Sequence, residues 1–206
     1  KATEASPDHP ILIDRFLDMA DALLIGGAMA FSFFRAQGKQ TGNSLVEEEG
    51  IELARKALDK AESSDCRILL PLDLVAGDRF AADAERRDID GTEVEDGWMG
   101  LDVGPQTVDA YSREIEGAGT VFWNGPMGAF EMEPFAAGTL RLAQALVEVT
   151  EKGALTVVGG GDSAAAVRQL GFRDDQFGHI STGGGAALEY LEGKELPGIA
   201  ILTKEH

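Results

Sequence analysis

Basic residues are scarce in this sequence: 18 lysines and arginines stand against 36 aspartates and glutamates, a formal net charge of −18 over 206 residues. A surface of that sign repels phosphate backbones and anionic headgroups, so nucleic acid and anionic membrane are excluded as partners. It suits ionic strengths high enough to screen self-repulsion, and adaptation to high salt is one expectation carried forward. Cysteine is nearly missing. The single Cys66 excludes an internal disulfide and fits a reducing compartment. No apolar run is long enough to cross a bilayer and no signal-like segment opens the sequence, so a cytoplasmic protein is expected. Internal repeats and low-complexity linkers are absent too, which leaves one domain.

What the chain does have is an ordinary globular core, with 44% hydrophobic residues, and 26 glycines. Residues 1–10 carry two prolines and no periodicity, and read as an irregular loop or cut end. From residue 11 to residue 20, Ile13, Phe16, Leu17 and Ala20 recur at helical spacing. Residues 22–25 are a short buried strand ending at Gly26-Gly27, and a helix then passes through Phe31, Phe33 and Phe34 to Gly38. Those rings read as core. Ser44 and Glu47 have capping-box spacing ahead of a helix to about residue 62. Residues 67–72 are the next strand, and the acidic stretch 78–96 reads as an irregular surface excursion. Pro105 opens a helix to about Glu116, residues 120–123 form a strand, and Asn124-Gly125-Pro126-Met127-Gly128 forms a turn. A helix over 134–149 follows, with Leu140, Leu142, Ala143 and Leu146 inside.

The stretch that organises the chain is Thr156-Val157-Val158-Gly159-Gly160-Gly161-Asp162-Ser163. It reads as a buried strand, a glycine turn, then an acid and a hydroxyl opening a small-residue helix. Glycines let backbone N–H groups approach a ligand, and a helix N-terminus supplies unpaired donors with about half a positive charge. Asp162 can cap that helix, or hold a divalent ion against a phosphate. A last apolar segment, Ile180-Ser181, leads into Thr182-Gly183-Gly184-Gly185 and a further helix. Short apolar strands alternating with helices imply a Rossmann-like three-layer α/β domain, a central, mostly parallel sheet with helices on both faces. Ligands of such sheets bind at the carboxyl ends of the strands. Three glycine-bearing loops directly follow strands and a fourth follows residues 180–181, which points to a phosphate-bearing ligand.

Four motifs match a family. Gly97-Trp98-Met99-Gly100-Leu101-Asp102-Val103-Gly104-Pro105 and Trp123-Asn124-Gly125-Pro126-Met127-Gly128-Ala129-Phe130-Glu131 resemble phosphoglycerate kinase. So do Gly159-Gly160-Gly161-Asp162-Ser163-Ala164 and Ser181-Thr182-Gly183-Gly184-Gly185-Ala186, with the ending Leu196-Pro197-Gly198. The resemblance runs from about residue 11 to residue 202. It implies the C-terminal, nucleotide-binding lobe over 11–206, without the N-terminal lobe that holds 3-phosphoglycerate. It further implies a magnesium-dependent transfer of a phosphoryl group between 1,3-bisphosphoglycerate and ADP, giving 3-phosphoglycerate and ATP, in glycolysis by a monomer.

By that resemblance Gly26, Gly27, Gly100, Asn124, Gly128 and Glu131 surround the adenine and ribose, with Glu131 accepting from the ribose hydroxyls. Asp162 engages the metal of the metal–nucleotide, while Gly160, Gly161 and Ser163 line the phosphate path. Gly183, Gly184 and Gly185 present amides to the phosphoryl group in transfer. One departure stands out. The family's Gly-Gly-Ala-Lys loop, with its two lysines, is not recognisable ahead of residue 11; its nucleotide lysine would fall on His9. Two other readings remain open: a nucleotide-binding module that turns nothing over, and a nicotinamide-dependent oxidoreductase. Against the latter, no Gly-x-Gly-x-x-Gly opens the first strand–helix turn.

Overall fold

The computed structural model describes residues 9–181. The first eight residues, the glycine loop of Gly183, Gly184 and Gly185, and the Leu196-Pro197-Gly198 ending lie outside them. Helix α1 (His9–Met19) opens two residues ahead of the expected start, so His9 and Pro10 are helical and not part of an irregular loop. Its stripe faces inward as the spacing requires: Leu17 is buried, and Ile13 and Ala20 pack against the same cluster. Strand β1 (Ala22–Leu24) follows, then α2 (Met29–Ala36), whose Phe31, Phe33 and Phe34 are buried, with Phe31 and Phe34 edge to face at 5.7 Å. These rings are core, as their position after an apolar strand implies.

Helix α3 (Glu48–Ala61) begins four residues beyond Ser44, so the expected capping box does not form. Glu47 is the extended residue before the helix, and the Ser44 hydroxyl instead accepts the Gly100 N–H at 2.9 Å. A long-range partner has outcompeted the local cap. Strand β2 (Arg67–Leu69) pairs in parallel with β1, Ala22 opposite Arg67, and stops short of Pro71, which has no N–H to give a ladder.

The acidic stretch 78–96 is mostly irregular and exposed, as expected, except that four of its residues form a strand. β3 (Leu74–Gly77), β4 (Arg86–Ile89) and β5 (Met99–Val103) form an antiparallel sheet in the order β4-β3-β5. The strand β4 reads Arg-Arg-Asp-Ile and is largely exposed, so it shows none of the apolar alternation that marks a strand in sequence. Side-chain pairing sustains it instead: Arg86 with Asp88 at 2.8 Å, and Arg87 with Glu95 at 2.9 Å while the Arg87 guanidinium lies over Trp98.

Helix α4 (Pro105–Glu116) has the expected bounds, with proline in its first turn. Its cap comes from far away in sequence: buried Asp73 accepts the Gln106 and Thr107 N–H groups at 2.9 and 2.8 Å and the Thr107 hydroxyl at 2.6 Å. Strand β6 (Thr120–Asn124), helix α5 (Ala137–Glu151), strand β7 (Leu155–Gly159), helix α6 (Gly161–Gln169) and strand β8 (His179–Ser181) follow among the described residues. A single 3-10 turn, Glu133–Phe135, precedes α5, which begins three residues beyond Pro134. Leu142, Ala143 and Leu146 are buried on α5, with Leu140 half-buried at its rim.

The parallel strands fall into two ladders, β1-β2 and β6-β7-β8, flanked by helices. One core gathers Tyr111, Trp123, Leu142, Leu146, Val158 and Val167; a second gathers Leu17, the three α2 phenylalanines, Leu74 and Val94; two smaller clusters surround Phe135 and Phe130. Tyr111 joins the ends of β1 and β2. Its hydroxyl is directed at the Ile25 carbonyl at 2.6 Å and the Leu69 carbonyl at 3.0 Å, and burial pushes the phenol above its ordinary pKa. Among the described residues, no helix is long and apolar enough to cross a membrane.

Candidate functional site

A parallel strand delivers its last residues to one edge of its sheet, and the loops after β1, β6 and β7 meet at one cavity although β1 belongs to a separate ladder. They open into a cavity of about 1260 Å³ between the two ladders, lined at its rim by Gly26, Asn124, Gly160, Gly161 and Asp162. Below the rim the walls are apolar, with Leu23 of β1 on one side, Phe122 and Trp123 of β6 on the other, and Phe16 of α1 6.1 Å from Phe122.

The glycines are there because side chains would not fit. A Cβ on Gly26 would lie 2.3 Å from the Met127 sulfur, and Gly27, at φ +59°, would drive one to 2.7 Å from the Pro126 carbonyl. The first glycine loop thus packs directly on the loop after β6, and Gly27 N–H donates to the Met127 carbonyl. Gly160 is the residue before α6, at φ +94°, and takes the cap position expected of Asp162. Asp162 lies in the first turn, exposed, and makes no side-chain cap bond. A left-handed glycine can swing the chain from strand to helix without any side-chain cap, which frees the carboxylate. Gly161 differs from the others: a Cβ there would meet nothing within 4 Å.

Ser163 is fully buried and its hydroxyl accepts the Gly125 N–H at 2.7 Å. The structure therefore places Ser163 as a tie between the β6 and β7 loops. Gly100 sits in β5, walled by the Phe31 ring, where a Cβ would lie 2.2 Å from the ring carbon; Glu131 is exposed in the turn before α5. Neither lines the cavity, nor does Gly128. They are linked to it through the β6 loop, whose Ala129 N–H donates to the Leu101 carbonyl of β5 at 2.8 Å.

Two residues of this site escape sequence reading. Thr139 of α5 is fully buried and its hydroxyl receives the Met127 and Gly128 N–H groups at 3.1 and 3.3 Å. Asp102 of β5 is also buried and accepts the Val103 and Gly138 N–H groups at 2.9 and 2.8 Å. Burial pushes its carboxyl up to about 7, and the two backbone donors pull only part of the way back. An acid in the middle of an otherwise apolar strand was the available signal for it.

No group of three or more histidine, cysteine, aspartate or glutamate side chains is gathered for a metal among the described residues. The lone exposed Asp162 beside open helix-start amides does fit magnesium delivered with a nucleotide, because that ion takes one or two carboxylates and completes its shell from phosphate and water.

The family model for phosphoglycerate kinase matches residues 7–194. The chain belongs to the phosphoglycerate kinase family. It is 55% identical to a phosphoglycerate kinase of Prosthecochloris aestuarii, over 97% of this chain and 53% of that protein. A Rhodococcus erythropolis phosphoglycerate kinase is also 55% identical, over 95% of this chain and 48% of its own length. Among solved structures, that of Coxiella burnetii phosphoglycerate kinase superposes with a TM-score of 0.87 at 40% identity, covering 94% of this chain and 49% of that one. The phosphoglycerate kinase of Pyrococcus horikoshii superposes with a TM-score of 0.80 at 29% identity, over 98% and 50%. The chain thus spans about half the length of the relatives it matches.

Proposed function

We propose that this chain is the C-terminal, nucleotide-binding half of a phosphoglycerate kinase, over residues 11–206. It supplies the Mg–ADP/ATP side of the transfer between 1,3-bisphosphoglycerate and ADP. The observation that carries the reading is the start of α6: Gly161 faces open space and Asp162 is exposed beside it, both at the rim of the shared cavity. Unpaired amides at a helix N-terminus attract phosphate, and the adjacent carboxylate suits its metal.

In this reading Gly26, Gly27 and Asn124 cradle the nucleoside, with Gly100, Gly128 and Glu131, which do not line the cavity, behind them through the β6 loop; Gly160, Gly161 and Ser163 shape the phosphate path, and Asp162 meets the magnesium. The metal's contribution is to neutralise phosphate charge; the chain's own residues bind and orient. Gly183, Gly184 and Gly185, outside the described residues, take the role of amide donors to the phosphoryl group. Phosphoryl transfer needs little covalent chemistry from the protein, so alignment of two bound substrates carries it. The acyl-phosphate substrate belongs to the N-terminal half of the full-length enzyme, which acts in the cytoplasm as a monomer.

The half-length match favours one further reading of the chain by itself: it binds nucleotide without turnover. Alignment of both substrates is worth about 7–11 kcal/mol of barrier, and in this reading the half of the family's length spanned here holds the nucleotide alone. Titrating ADP against Trp123 fluorescence should show binding in the micromolar-to-millimolar range, about −8 to −4 kcal/mol. A coupled assay on the same preparation should show almost no ATP formed from 1,3-bisphosphoglycerate. Failure of ADP to bind would overturn the nucleotide reading; turnover near the enzyme median of about 10 per second would overturn the half-site reading.

A further inference from the structure

Asp102 is a buried carboxylate beside the loop after β6, and nothing in the proposed reaction uses it. Its surroundings are unusually tight. A Cβ on Gly128 would lie 2.3 Å from one of its oxygens, and a Cβ on Gly138 would lie 2.4 Å from the same atom. Two glycines thus press their α-carbons on one carboxylate, Gly128 from the β6 loop and Gly138 from the first turn of α5. The carboxylate in turn takes the N–H groups of Val103 and Gly138. Next to Gly138, Thr139 takes the Met127 and Gly128 amides, and Met127 packs its sulfur on Gly26 and accepts from Gly27. A continuous set of contacts therefore runs from Asp102 to two of the three glycine loops at the cavity.

We infer that Asp102 is a positioning residue for the nucleotide loop: its ionised carboxylate pins α5 to β5 and sets where residues 124–128 stand against Gly26 and Gly27. The inference rests on the reading of those loops as the nucleoside cradle. Both N–H groups bond the ionised carboxylate more strongly than the neutral acid, and they pull the carboxyl back toward ionisation against its burial. A negative charge beside the first turn of α5 is also favourably placed against the helix dipole. The charged group acting on the carboxylate is Arg86 of β4. From α5 it meets the backbone of Gly138, from the β6 loop Gly128, and from β3 it is in register with Val75, none of them titratable. Glu131 and Glu133 of the adjoining turn are exposed.

Because the carboxyl titrates at about 7, the loop should be held at mildly basic pH and released at mildly acidic pH. Adenosine is the probe, since it carries no group that titrates near neutrality. If only the ionised form binds, lowering pH from about 8 to about 6 cuts the competent fraction and weakens adenosine binding about tenfold. The Gly128 and Gly138 amide resonances of the ligand-free chain should shift together over the same step. Asp102→Asn should keep the fold, show no step in either measurement, and bind adenosine at every pH more weakly than the unmodified chain does at about pH 6. Adenosine affinity equal at both pH values, or loop amides that do not titrate, overturns the inference and leaves the nucleotide reading standing. Titrating amides with no adenosine binding at either pH overturns the nucleotide reading and, with it, any positioning role. The two measurements on the unmodified chain decide the matter even where Asp102→Asn fails to fold.

Discussion

Ser163 Oγ accepts the Gly125 N–H at 2.7 Å, and that bond ties the loop after β6 to the first turn of α6. Ser163 is fully buried and Gly125 half-buried. Ser163→Ala leaves the Gly125 N–H without a partner, at a cost of about 1–3 kcal/mol. In a chain of this size that lowers the melting temperature by very roughly 2–12 °C. Thermal denaturation followed by circular dichroism checks it; an unchanged midpoint would show that the tie is dispensable.

Gly160 and Gly161 are neighbours with opposite demands. Gly160 has φ +94°, and a Cβ there would lie 2.6 Å from the Asn124 side-chain oxygen. Gly160→Ala should therefore cost about 1–2 kcal/mol of backbone strain and push Asn124 from the rim. Gly161→Ala meets open space and stands in a helix, so its stability should stay within about 1 kcal/mol of the parent. The added methyl group faces the cavity, however, and should weaken ADP. Denaturant titrations and ADP titrations of both variants separate the two effects; equal stability losses would refute the contrast.

For Asp162 the prediction concerns the metal. Asp162→Asn keeps the shape of an exposed first-turn residue but removes its charge. Calorimetry should show a much larger loss for magnesium–ADP than for adenosine. Equal losses for both would take Asp162 out of the metal role.

Asp102 also makes stability depend on pH, and the sign follows from its raised pKa. The folded chain holds this proton more tightly than the unfolded chain, whose carboxyl titrates near the ordinary 3.8. Folding is therefore favoured below about pH 4, and this contribution is lost as pH rises toward 7. The unmodified chain should lose stability relative to Asp102→Asn across that window and run parallel to it above. Urea midpoints at several pH values test this, and a constant difference would mean the carboxyl is not perturbed.

The net charge of −18 predicts a response to salt. Many of the ion pairs are between exposed side chains, such as Arg173 with Asp175 and Arg55 with Glu52, and such pairs contribute little each. Uncompensated repulsion should be relieved as the Debye length shrinks from about 10 Å at 0.1 M salt to about 3 Å at 1 M. Molar potassium chloride should raise the melting temperature. A flat or falling curve would mean that the acids are balanced locally.

Local signals survived translation into structure wherever the partner of each group is near in sequence. Pro105 set the start of α4, the stripe on α1 turned inward, and the glycines after β1, β6 and β7 mark loops that share one cavity. Family motifs spanning residues 97–186 were legible for the same reason: each is a short continuous run. What sequence could not determine are pairings across distance. Ser44 had a local capping box within reach yet bonds Gly100; Asp73 caps a helix more than 30 residues on; β4 is a strand because β3 lies beside it. Asp102 reads as one acid among 36, and only the approach of Gly128 and Gly138 makes it a buried carboxyl that titrates near neutrality. Propensity and spacing act within a few residues, whereas desolvation and hydrogen-bond partners depend on which distant segments the fold brings together.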